Sequence, residues 1–87
     1  VSSTKPMTGH ALGAAGAIEA GICWLAMQDD NTAGKLPAHL WDGIDDPKLP
    51  VLQLATSTTR LGHPPRWAVS NSFAFGGANV TLVLARD

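Results

Sequence analysis

Residues 10–29 read His-Ala-Leu-Gly-Ala-Ala-Gly-Ala-Ile-Glu-Ala-Gly-Ile-Cys-Trp-Leu-Ala-Met-Gln-Asp, a run in which Glu19 is the only charged side chain before Asp29. Such a segment predicts a helix. Because it is apolar nearly all round, the pattern predicts a buried one. Thr8 is placed to cap its start, and Asp29-Asp30-Asn31 supplies a polar stop. Gly13, Gly16 and Gly21 each cost about 0.5–1 kcal/mol relative to alanine inside a helix. Close packing against a sheet or a symmetry-related helix would offset that cost.

The rest of the chain alternates between short extended runs and turns. Residues 1–3 read as the end of a strand, followed by a polar loop to Gly9. Residues 31–50 form a long connection with Pro37, Pro47 and Pro50, extended only near Leu36. A loop of that length is functional or is draped over a larger body. Residues 51–55 alternate apolar and polar as a short strand would, and residues 56–66 are rich in turn formers. Residues 67–72 and 79–86 read as two strands, with Val80, Leu82 and Leu84 on one face. Phe73-Ala74-Phe75-Gly76-Gly77-Ala78 joins them, which fits an antiparallel hairpin. This order predicts an α/β arrangement: a buried helix and a mixed sheet ending in an antiparallel pair, incomplete as a domain.

Composition narrows the partners. Six Lys and Arg against seven Asp and Glu give a net charge of −1, so no basic footprint for nucleic acid exists. Only 15% of the 87 residues are charged, which suggests that another part of a longer chain, or a partner, covers much of this surface. The opening at Val1 also reads as that of a fragment. No apolar run reaches the length of a membrane span. Cys23 is the single cysteine, so neither an internal disulfide nor a cysteine-based metal site is expected. Its place among Ile22, Trp24 and Leu25 marks it as an inert core thiol. His39 and His63 lie in proline-flanked loops without partners that suggest metal ligation, and the three tryptophans read as packing residues.

Two clusters hold candidate chemistry. Lys5 and His10 stand five residues apart in a loop that feeds a helix N-terminus. The positive field there favours a neutral imidazole able to donate a hydrogen bond to developing negative charge. Spacing alone leaves open a capping histidine beside a solvated lysine. In residues 73–77, two aromatics and a Gly-Gly pair could present backbone N–H groups to a site, or could form an ordinary hairpin turn.

Taken together, Ser3-Thr4-Lys5-Pro6-Met7-Thr8-Gly9-His10 with Gly13-Ala14-Ala15-Gly16, and Asn71-Ser72-Phe73-Ala74-Phe75-Gly76-Gly77-Ala78-Asn79, resemble the β-ketoacyl-acyl-carrier-protein synthases, or condensing enzymes. The resemblance implies that residues 1–87 are the C-terminal portion of a thiolase-like fold, usually a homodimer, needing no cofactor and residing in the cytoplasm. It implies a ping-pong reaction. A cysteine outside this chain takes an acyl group from acyl carrier protein; malonyl-carrier protein then loses carbon dioxide, and its carbanion attacks the acyl thioester. His10 would donate to the malonyl thioester carbonyl, and Lys5 would hold the histidine network. Phe75 would give its backbone N–H to the oxyanion hole and its ring to a gate hinged at Gly76 and Gly77. Thr8 and Phe73 would join these glycines in lining the substrate site. A second histidine would lie outside this chain.

Ala74 stands where the family pattern has glycine, and Ala78 where it has threonine. With Leu40-Trp41-Asp42-Gly43 and Asp45-Asp46-Pro47, these departures look more like ketosynthases of specialised pathways, such as those making aryl polyenes. Modular polyketide ketosynthases share Lys5 and His10 in a different local segment. A non-catalytic chain-length-factor type of subunit in a ketosynthase heterodimer, or a purely structural piece, are the other readings.

Overall fold

The computed structural model describes residues 1–74 and 76–87, so the expectations for Phe75 lie outside the described residues. In chain order it forms a one-turn helix α1 (Lys5–Thr8), a 3-10 turn (Leu12–Ala14), helix α2 (Ala15–Ala26) and strands β1 (Trp67–Ala74) and β2 (Ala78–Ala85).

The segment expected to be a loop up to Gly9 contains α1. Pro6 sits in its first turn, where a missing N–H costs nothing. Gly9 ends it with φ 72° while its N–H donates to the Lys5 carbonyl at 2.8 Å. Thr8 therefore closes α1 and does not cap α2; its hydroxyl donates to the Thr4 carbonyl at 3.2 Å.

The apolar run divides. Leu12 takes φ 49°, a left-handed backbone that a right-handed helix cannot propagate. The 3-10 turn then leads into α2, which starts at Ala15, five residues later than the apolar pattern suggests. At the other end, Asn31 donates its side-chain N–H to the Ala26 carbonyl at 2.7 Å. That bond satisfies a free helix-end acceptor and stops α2 before Asp29.

Helix α2 packs on β1. A Cβ at Gly16 would lie 3.4 Å from Ser72 Oγ, whereas positions 13 and 21 face open space. Of these three glycines only Gly16 comes close to the sheet, and a methyl group there would still make ordinary contact. Ile18, Trp24 and Leu25 remain exposed, so within this chain the helix is covered on one side and not all round.

The strands pair antiparallel in a register from Trp67 opposite Ala85 to Ala74 opposite Ala78. Gly76 and Gly77 turn the hairpin with φ 70° and 123°, values that side chains resist. Pairing reaches two residues further along β1 than the expected strand. Among the described residues no third strand joins, so the expected mixed sheet is an antiparallel pair.

Residues 51–55 form no strand. They are tied instead to the start of the chain: the Val1 nitrogen donates to the Gln53 carbonyl and Ala55 N–H donates to the Val1 carbonyl, both at 2.8 Å. Near Leu36, Lys35 and Arg60 make an isolated antiparallel bridge. Among the described residues Met27, Ala55 and Pro65 are buried, while Val69, Phe73, Val80 and Val83 are exposed. No described helix is long and apolar enough to cross a membrane.

Candidate active site

Lys5 opens α1, and His10 lies just beyond Gly9, which ends that turn. The sharp reversal brings both side chains to the wall of one cavity of about 470 Å³. Its opposite wall is the start of α2, with Gly16 and Glu19, and the end of β1, with Phe73 and Ala74. Two segments separated by some sixty residues thus meet because α2 lies on β1.

The Lys5 ammonium forms an ion pair with the Glu19 carboxylate. Glu19 is the one charged residue of α2, and its side chain is 20% exposed against 43% for Lys5. A pair this close to solvent contributes about 0–1 kcal/mol to stability. Its consequence is positional: the lysine is held against the helix, beside the cavity that His10 also lines. Glu19 was not among the residues singled out from the sequence. The available signal was its isolation, since a lone carboxylate on an apolar helix needs a cation.

His10 is exposed and precedes Ala11, the N-cap of the 3-10 turn. That turn and the left-handed Leu12 separate it from Ala15, the first residue of α2. The expected direct action of the α2 terminus on the imidazole is therefore not reproduced, because such effects fall away within one turn. What the position does provide is an N–H donor at the cavity wall.

Phe73 also lines this cavity. Thr8 is not among its lining residues; its hydroxyl is engaged with the Thr4 carbonyl and, at 3.2 Å, with the Gly9 carbonyl. Gly76 and Gly77 form the hairpin turn and do not line the cavity.

Cys23 is half-buried on α2. Burial first, and the Glu19 carboxylate second, push its thiol above the ordinary cysteine value. Both effects disfavour the thiolate, the opposite of what a nucleophile requires. Among the described residues no group of three or more His, Cys, Asp or Glu is gathered to hold a metal ion. His39 is engaged in hydrogen bonding: its Nδ1 accepts the Ser3 N–H at 3.0 Å.

Comparison with known proteins bears on this arrangement directly. Residues 1–39, which carry Lys5, His10 and Glu19, match the family model described as beta-ketoacyl synthase, C-terminal domain. The chain is 43% identical, over 99% of its length, to a 3-oxoacyl-[acyl-carrier-protein] synthase 2 of Coxiella burnetii, of which it covers 19%. It is 44% identical, over 97% of its length, to the mitochondrial 3-oxoacyl-[acyl-carrier-protein] synthase of Arabidopsis thaliana, covering 17%. Against the 3-oxoacyl-[acyl-carrier-protein] synthase 1 of Escherichia coli it is 38% identical over 99% of its length, covering 20%. The chain thus spans about one fifth of the length of these relatives. No solved structure matches it significantly. With the Lys5, His10 and Glu19 segment inside the matched region and the likeness running through the hairpin, the chain is similar to the C-terminal region of the β-ketoacyl-acyl-carrier-protein synthases.

Proposed function

We propose that this chain forms the decarboxylation side of a 3-oxoacyl synthase active site, within a protein that condenses an acyl thioester with malonyl-acyl carrier protein. The observation that carries the reading is the common cavity of Lys5, His10 and Phe73, with Lys5 anchored by Glu19.

In this reading the malonyl thioester carbonyl lies against His10, whose ring N–H donates to it. As carbon dioxide leaves, negative charge moves onto that oxygen. A donor already aimed there stabilises the enolate more than the ground state, which lowers the barrier. The Lys5 cation adds a favourable field and orders the imidazole. Phe73 closes the apolar side of the cavity. Phe75 would supply a backbone N–H to the oxyanion hole and a ring that gates the acyl and malonyl channels, with Gly76 and Gly77 as hinge. The nucleophilic cysteine comes from elsewhere in the longer protein, for Cys23 is chemically unsuited.

Acyl carrier protein is the partner that delivers both thioesters, and residues 1–87 are the C-terminal portion of a thiolase-like fold that works as a dimer. The names of the relatives support fatty-acid-type elongation. Ala74 and Ala78 face each other as the last pair of the hairpin. Ala74 stiffens the loop base relative to the usual glycine and Ala78 replaces the usual threonine, departures that favour a ketosynthase of a specialised pathway.

The full-length protein, incubated with an acyl donor, should gain the acyl mass on a cysteine other than Cys23. It should then form a 3-oxoacyl-carrier product when malonyl-carrier protein is added. A protein that never acquires the acyl group is a non-catalytic partner subunit, and this proposal is then wrong.

A further inference from the structure

We infer that His39 is a positioning residue for the Lys5 and His10 segment, acting through its Nδ1 acceptor. This inference rests on the function proposed above. Three hydrogen bonds close a ring between distant parts of the chain. Ala55 N–H donates to the Val1 carbonyl at 2.8 Å, His39 N–H donates to the Ala55 carbonyl at 2.8 Å, and Ser3 N–H donates to His39 Nδ1 at 3.0 Å. Ala55, at the centre of this ring, is 4% exposed. Two of the three links are between backbone groups and can be made by almost any residue. Only the third depends on a side chain.

That third link holds Ser3, two residues before Lys5 and next to Thr4, which precedes α1 and is itself buried. The residues of α1 hang from this point: Lys5 is its first residue, and His10 follows the Gly9 reversal. A shift of Ser3 therefore moves both cavity groups together. The His39 ring also makes an edge-type contact with Trp41, with centroids 6.2 Å apart. Accepting from a backbone N–H requires a lone pair on Nδ1, so the ring proton sits on Nε2. Among the described residues His39 takes part in neither ion pair, those of Lys5 with Glu19 and of Arg86 with Asp29. The ring thus serves as an acceptor and not as a charge.

The test uses the full-length protein with His39→Asn and His39→Gln. Asparagine places its oxygen near the position of Nδ1, whereas glutamine places it near Nε2. Carbon dioxide release from malonyl-carrier protein should stay near the parent rate in His39→Asn. In His39→Gln kcat should fall about tenfold with KM little changed, the pattern of a displaced transition-state donor. Hydrogen exchange at the Ser3 amide should be faster in His39→Gln than in His39→Asn. Equal rates in the two variants, whether high or low, overturn the positioning role. If the parent releases carbon dioxide, that failure leaves the proposed function standing. If the parent releases none, the functional reading falls and takes this inference with it.

Discussion

Glu19, the one charged side chain of α2, is paired with Lys5 across fourteen residues of sequence. The pair joins the turn that delivers the cation to the helix that forms the cavity floor. It is too exposed to matter much for stability. Its removal should therefore separate function from folding. In the full-length protein, Glu19→Gln is expected to shift the melting temperature by no more than about 4 °C. The rate of malonyl decarboxylation should fall about tenfold. Thermal unfolding and carbon dioxide release measured on the same sample check both parts.

The same carboxylate acts on Cys23. Because burial and Glu19 both raise the thiol, the thiolate is scarcer at neutral pH than for an unperturbed cysteine. Iodoacetamide should therefore label Cys23 more slowly than it labels free cysteine at pH 7.5, with the rate still climbing above the ordinary thiol range. Glu19→Gln removes the second cause and should speed the labelling, though not to the free rate, since burial is the larger cause. Peptide mass mapping resolves Cys23 from any other cysteine in the longer protein.

Gly34 is the position where a methyl group has nowhere to go. Its φ is 65°, and a Cβ there would lie 2.2 Å from the His63 carbonyl oxygen. This crowding arises because the Lys35–Arg60 bridge draws residues 61–63 across the glycine, with Leu61 N–H donating to the Gly34 carbonyl at 3.1 Å. Gly34→Ala should destabilise by about 2 kcal/mol or more, combining left-handed strain with displacement of the crossing segment. Equilibrium denaturation is the check.

Gly16 has a different tolerance. Alanine there would make ordinary contact with Ser72 Oγ at 3.4 Å, so Gly16→Ala should be nearly neutral or slightly stabilising. Gly16→Leu should push α2 away from β1 at a cost of about 1–3 kcal/mol. Because the two elements wall the same cavity, decarboxylation should fall with it. Paired melting and activity measurements on the two variants decide the point.

Much of this layout is legible in the residues themselves. The hairpin follows from alternation in residues 67–72 and 79–86 and from a Gly-Gly pair that accepts positive φ. Helix α2 follows from its apolar run, but its start does not. The left-handed Leu12 and the 3-10 turn are backbone choices that hydrophobicity does not encode, so the first residue moves from 10 to 15. The α1 turn is four residues long and carries no periodicity, although Pro6 and Gly9 mark its ends in retrospect. The alternation of residues 51–55 suggested a strand, yet a strand needs a neighbouring ladder, and here the available partner is a short stretch at Val1. The site was half legible. Lys5, His10 and Phe73 line one cavity, whereas the Glu19 pairing and the His39 link arise from chain crossings that no local pattern announces.

The role of His10 turns on carbon dioxide release by the full-length His10→Ala protein. Malonyl-carrier protein is the substrate, with acyl loading of the same sample read by mass spectrometry. Loading should persist while decarboxylation falls by about 10²–10³, the cost of removing one aimed donor. Carbon dioxide released at the parent rate by an acyl-loaded His10→Ala protein would contradict that role.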